Sequence, residues 1–138
     1  MEQQTEKNTR YSEAAGRLLS LDAAAEIERI TQTIRQQLSR ELRRQGAIVA
    51  ISGGIDSSVT AALCAKALGP DRVIGLMMPE RDSSSETARL SGLLAESLGI
   101  RTEFEDITPV LEGVGCYRRQ EDAYRRVVPE YGEGWQAK

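Results

Sequence analysis

The chain has 138 residues, 40% of them apolar, and a formal net charge of −3, which suffices for one buried core and gives no basic field to attract nucleic acid. It has no histidine, and its two cysteines, Cys64 and Cys116, lie far apart without a CxxC spacing, so there is no obvious zinc site and no Ser-His or Cys-His nucleophile pair within the chain. No apolar run approaches the ~18 residues of a membrane span, and the polar opening Met1-Glu2-Gln3-Gln4-Thr5-Glu6-Lys7 is unlike a signal or transit peptide, so a cytoplasmic protein is expected whose chemistry rests on carboxylates, backbone amides, hydroxyls and a cofactor or metal.

Residues 1–19 are polar and aperiodic and are expected to form a flexible arm, with residues 20–138 as one domain. From Leu21, the apolar residues Ala24, Ile27, Ile30, Ile34, Leu38 and Leu42 recur every third or fourth position against Glu28, Arg29, Gln32, Arg35 and Arg43. That spacing predicts a long amphipathic helix stopped near Gly46, whose stripe suits packing on the chain's own sheet or dimerisation. Ala47-Ile48-Val49-Ala50-Ile51 lacks polar alternation, as a parallel strand covered on both faces would. A turn at Ser52-Gly53-Gly54 leads into an Ala-rich helix from Ser58 to Leu68, with Gly69-Pro70 as its stop.

The alternation then repeats. Val73 to Met78 reads as a second buried strand ended by Pro79, and Ser83-Ser84-Ser85-Glu86 offers hydroxyl caps for a helix that carries Leu90, Leu93, Leu94 and Leu98 and stops at Gly99. Arg101 to Ile107 is a weaker strand nearer a sheet edge, and residues 117–127 form a charged helix around Tyr124, Val127 and Val128. Strands alternating with helices of this length predict right-handed βαβ units: an α/β fold with an open parallel sheet and helices on both faces.

The segment that carries chemistry is Ser52-Gly53-Gly54-Ile55-Asp56-Ser57-Ser58, between a strand and a helix. Small residues at 52–54 let main-chain N–H groups approach an anion, and the helix N-terminus aims its partial positive charge at the same point. Ser57 and Ser58 add hydroxyl donors, while Asp56 beside polyphosphate is repulsive unless Mg2+ bridges the two. The competing reading is a tight chain reversal with no ligand. A Walker A loop needs a Gly-Lys pair and a dinucleotide fingerprint needs G-x-G-x-x-G, and neither occurs.

This segment resembles the Ser-Gly-Gly-x-Asp-Ser-(Ser/Thr) pyrophosphate loop of the N-type ATP pyrophosphatases, which include NAD synthases, GMP synthetases, asparagine synthetases and some tRNA-thiolating enzymes. Around the loop, Ala67-Leu68-Gly69-Pro70, Met77-Met78-Pro79-Glu80-Arg81-Asp82-Ser83-Ser84, Leu98-Gly99-Ile100 and Asp106-Ile107-Thr108-Pro109-Val110 resemble NAD synthase most, over roughly residues 46–111. The resemblance implies a Rossmann-like, adenine nucleotide alpha-hydrolase-like fold. It also implies ATP-dependent amidation of nicotinic acid adenine dinucleotide by ammonia through an adenylate, with release of AMP and pyrophosphate. ATP and Mg2+ are then the cofactors: Asp56 and Ser57 act catalytically, Asp56 holds the metal, and Ser52, Gly53, Gly54, Ile55, Asp56, Ser57, Ser58, Met78 and Arg81 bind the nucleotide. For Arg81 to Ser84, helix capping with a solvated ion pair is an equal alternative.

NAD synthases are about twice this length, and no counterpart of their later half follows Pro129 to Lys138. The expectation is therefore a domain truncated at its C-terminal end, a subunit completed by a C-terminal half, or a homodimer of the family's kind. A GMP synthetase-like or tRNA-thiolating enzyme, or a non-catalytic nucleotide-binding module, are the other readings. Cys64 is expected to be a buried hydrophobe, and the pairs Arg118-Arg119 and Arg125-Arg126 a solvated face or a contact to a dinucleotide phosphate.

Overall fold

The structure, a computed structural model, describes residues 20–132, 134 and 135; the arm expected over 1–19 lies outside them. The described chain divides between Arg44 and Gln45 into two compact units.

In the first unit, helix α1 (Ala23–Gln36) begins where the Asp22 carboxylate accepts a hydrogen bond from the Ala25 amide at 3.1 Å. One turn later Arg29 pairs with Glu26 and holds its carboxyl below the ordinary value. The helix does not run regularly to Gly46: a π-helical turn, Gln37–Glu41, follows it. It ends where Arg43 turns left-handed at φ 52° and the Arg44 amide reaches back to the Leu38 carbonyl at 2.8 Å.

The second unit alternates strand and helix as the apolar pattern requires. Strand β1 (Ala47–Ala50), helix α2 (Ile55–Leu68), a 3-10 turn (Pro70–Arg72), β2 (Val73–Met77), α3 (Ser85–Leu98) and β3 (Arg101–Phe104) are followed by α4 (Thr108–Gly113) and α5 (Cys116–Val127). The sheet is parallel in the order β1-β2-β3, with Ala47 to Ala50 beside Val73 to Leu76 and Ile74 to Met77 beside Arg101 to Phe104. The two crossovers run in one direction, from β1 to β2 to β3, which for crossovers of one hand puts α2 and α3 on the same face, where they touch each other and the sheet. There Val49, Ile51 and Val73 are buried under Ala61, Cys64, Ala67 and Leu68 of α2 and Ala95 of α3. The small side chains of α2 let its backbone approach the sheet. On the opposite face Ile48 is 68% exposed.

The open parallel sheet is the one the sequence predicts, with β3 exposed at the edge as expected, but α2 and α3 share one face of it where the sequence pattern predicts helices on both. Helix α4, where the sequence pattern fades, is the addition: the Asp106 carboxylate accepts from the Thr108 amide at 2.9 Å and starts the turn that Pro109 continues. Parallel pairing continues past the strand ends, with the Ile51 amide on the Leu76 carbonyl (2.9 Å), Glu105 on Met77 (2.9 Å) and Ile107 on Pro79 (3.0 Å). These bonds hold the C-terminal edge of the sheet, where the site lies. No helix of the described residues is long and apolar enough to cross a membrane.

Candidate nucleotide-binding site

Beyond β1 the chain turns at Ser52, Gly53 and Gly54 and enters α2. Gly54 is the cap residue, with φ −81° and ψ 158°, and no side chain caps the helix. The first amides of α2 have no partner within the helix and sit at the positive end of its dipole, which leaves donors for an anion. Gly53 has φ +71°, and a Cβ there would lie 3.0 Å from Leu90 Cβ and 3.1 Å from the Thr87 carbonyl oxygen. The glycine is thus set by the backbone and by the closeness of α3. At Gly54 a Cβ would meet only Ser52 Oγ, at 3.4 Å, and the ligand side is open.

The serines behave differently from the simple expectation of outward donors. Ser57 Oγ accepts from the Ser52 amide at 3.2 Å and donates to the Gly54 carbonyl at 3.0 Å. Ser58 Oγ donates to the same carbonyl at 2.8 Å, and the Ser52 and Ser57 hydroxyls are 3.2 Å apart. Ser57 and Ser58 therefore brace the loop, both within hydrogen-bond distance of the Gly54 carbonyl. Ile55 and Asp56 stand exposed on the first turn of α2. Among the described residues no group of three or more His, Cys, Asp or Glu side chains is placed to hold a metal. Asp56 is a lone exposed carboxylate there, and its hard oxygen donors are of the kind that would suit Mg2+ if one were bound.

Beside the loop, at the C-terminal ends of the strands, lies a cavity of about 270 Å³, the place where open α/β sheets bind ligands. Met77, Met78, Pro79 and Phe104 give it apolar walls, and Ser52, Ser83 and Thr87 contribute the polar groups. Its apolar walls with a few polar groups suit the faces and the polar edge of an aromatic ring such as a nucleobase. Of the residues expected to meet nucleotide, Ser52 and Met78 are brought together here; Thr87 and Phe104 were not singled out from sequence, because each comes from a different element.

Arg81 is not in the lining. Its guanidinium pairs with Asp82 at 3.2 Å and lies 3.8 Å from the centre of the Tyr117 ring. Ser84 caps α3 by accepting from the Thr87 amide at 3.3 Å, and Ser83 closes the preceding turn through its amide to the Glu80 carbonyl (2.9 Å) and its Oγ from the Glu80 amide (3.0 Å). The capping and ion-pair reading of this turn is observed, and Ser83 also lines the cavity. Cys64 is buried, which pushes its thiol pKa up. On α5, Arg119 donates to the Val114 carbonyl and Arg125 to the Tyr131 carbonyl at 3.2 Å.

The profile of the NAD synthase family matches residues 26–127. The chain belongs to the NAD synthase family. It is 55% identical over 121 residues to an NH(3)-dependent NAD(+) synthetase of Mesorhizobium japonicum, covering 88% of this chain and 38% of that one. With the NH(3)-dependent NAD(+) synthetase of Rhizobium meliloti it shares 48% identity over 120 residues, covering 87% and 36%. The chain thus spans less than two-fifths of the length of these relatives. An NH3-dependent NAD synthetase from Campylobacter jejuni, solved in complex with the nitrate ion, superposes with a TM-score of 0.62 at 26% identity over 72% of this chain and 42% of that one. A glutamine-dependent NAD+ synthetase from Acinetobacter baumannii, in complex with ADP, superposes at 0.63 and 24% identity over 86% of this chain and 20% of that one, which shows the shared fold.

Proposed function

We propose that this chain supplies the ATP-holding part of an ammonia-dependent NAD synthetase in the cytoplasm, an enzyme that amidates nicotinic acid adenine dinucleotide through an adenylate and releases AMP and pyrophosphate. One observation carries the reading: the uncapped N-terminus of α2, reached through the Ser52-Gly53-Gly54 turn, opens beside an apolar cavity at the C-terminal edge of a parallel sheet. The cavity takes adenine and the turn takes the phosphates. The amides of the loop and of the first turn of α2 stabilise pyrophosphate as it leaves, while Ser57 and Ser58 keep the loop in shape and Ser52 offers its exposed hydroxyl. Asp56 holds Mg2+, which offsets the charge of the phosphates when bound. Catalysis here is positioning and charge stabilisation, in accord with a chain that lacks histidine.

The dinucleotide and ammonia sites are completed by a segment corresponding to the remainder of the longer relatives, or by a second copy in a homodimer. The test is product chromatography of the chain with Mg-ATP, nicotinic acid adenine dinucleotide and ammonia, with and without a C-terminal half taken from a relative, alongside an Asp56→Ala control. Mg-ATP binding by the chain alone, and equal amounts of AMP, pyrophosphate and NAD once the complement is added, are expected. Turnover that ignores the dinucleotide would point instead to a GMP synthetase-like or tRNA-thiolating enzyme, and ATP binding without turnover in any combination would point to a non-catalytic nucleotide module.

A further inference from the structure

The β2–α3 connection forms one wall of the cavity through Met78, Pro79 and Ser83, and what holds its outer part is a side chain from another element. Tyr117, at the start of α5, is buried to 7% exposure. Its hydroxyl donates to Glu80 Oε2 at 2.9 Å and accepts a longer contact from the Arg81 amide at 3.4 Å. Its ring carries the Arg81 guanidinium at 3.8 Å. Burial first, and then the bond to Glu80, keep the phenol pKa above its ordinary value, so it remains a donor at neutral pH. The inner side of the same connection is fixed by the sheet, through Ile107 on Pro79. The bonds between Ser83 and Glu80 close the turn on itself, and Tyr117 is the contact from another element that ties Glu80 and Arg81 down and holds the Arg81 guanidinium over its ring, outside the cavity lining.

We propose that Tyr117 is a positioning residue for the adenosine part of the site: it acts through Glu80 and Arg81 to set the wall made by Met78, Pro79 and Ser83, and it leaves the phosphate loop untouched. This rests on the reading of the cavity as the adenine pocket. The loop at 52–54 and the wall at 78–83 hold different parts of ATP, so their ligands separate the two roles.

The experiment measures binding of adenosine, Mg-ATP and Mg-pyrophosphate to the chain by calorimetry, with thermal unfolding in parallel, for Tyr117→Phe, Glu80→Ala, their double variant and Glu80→Gln. One lost hydrogen bond at a pocket wall predicts a roughly three- to tenfold weakening of adenosine and ATP for Tyr117→Phe, with pyrophosphate unchanged. Glu80→Ala should match it, the double variant should be no weaker than either, and Glu80→Gln, which keeps an acceptor, should restore most of the affinity. A purely structural role would shift adenosine and pyrophosphate together, in step with the unfolding midpoint, and would overturn the assignment. Wild-type binding of adenosine with an indifferent Tyr117→Phe also overturns it, while leaving the pocket reading intact. No adenosine binding by the wild-type chain overturns the pocket reading, and the assignment with it.

Discussion

Replacing Gly53 by alanine tests why glycine occupies the turn between β1 and α2. At φ +71° a Cβ is crowded by its own backbone, at about 1–2 kcal/mol. The added methyl would also lie 3.0 Å from Leu90 Cβ and 3.1 Å from the Thr87 carbonyl oxygen, and forcing α3 or the loop aside adds about 1–3 kcal/mol. The sum, about 2–5 kcal/mol, is a large fraction of the ~5–15 kcal/mol that stabilises a small domain. Gly54→Ala is the control: its φ is −81°, its Cβ meets only Ser52 Oγ at 3.4 Å, and alanine as a cap residue costs about 0.5–1 kcal/mol relative to glycine. Urea unfolding followed by circular dichroism should therefore show a midpoint for Gly53→Ala well below wild type and a small shift for Gly54→Ala. Equal midpoints for Gly53→Ala and wild type, or a larger loss at Gly54, would refute the argument that α3 and the left-handed backbone demand glycine at 53.

Arg43 holds a left-handed conformation at φ 52°, so Arg43→Gly should relieve about 1 kcal/mol of backbone strain, read as slower hydrogen exchange of the amides between Gln37 and Arg44. Hydrogen bonding from Thr108, side chain first and then backbone, holds the Asp106 carboxyl below its ordinary range. A depressed carboxylate contributes stability above its unfolded pKa and loses it as pH falls through the folded one, so Asp106→Asn should flatten the acid limb of stability below about pH 4. Wild type and variant showing the same acid limb would count against that bond. Ellman's reagent should modify half-exposed Cys116 in the folded chain, while buried Cys64, whose thiolate is disfavoured by desolvation, reacts only on unfolding. Fast reaction of both thiols without denaturant would contradict the packing of α2 on the sheet.

Much of the site was legible because its parts are local. The Ser52-Gly53-Gly54 turn lies between a β-branched run and an Ala-rich helix, and both the strand and the helix form where those patterns stand. Ser84 caps α3 three residues before its bonded amide, a relation that spacing alone predicts. The direction of the Ser57 and Ser58 hydroxyls was not legible. A serine in a glycine turn can donate outward or brace its own loop, and only the folded coordinates put Gly54 O within 3.0 Å of both. The irregular end of α1 escaped for a related reason, since an apolar stripe at three- and four-residue spacing does not say where the ladder widens to a π-turn.

The sequence by itself determined the βαβ alternation, the place of the Ser52-Gly53-Gly54 turn between strand and helix, and the family, since propensity, capping and a run of loop residues all act over a few neighbouring positions. Tertiary structure alone decided the order β1-β2-β3, which puts Phe104 in the same cavity as Ser52. It also decided that Met78 and Ser83 face that cavity while Arg81 turns away onto Tyr117, 36 residues later in the chain. Contacts of that separation depend on how crossovers close and helices pack, and no local pattern of residues encodes them.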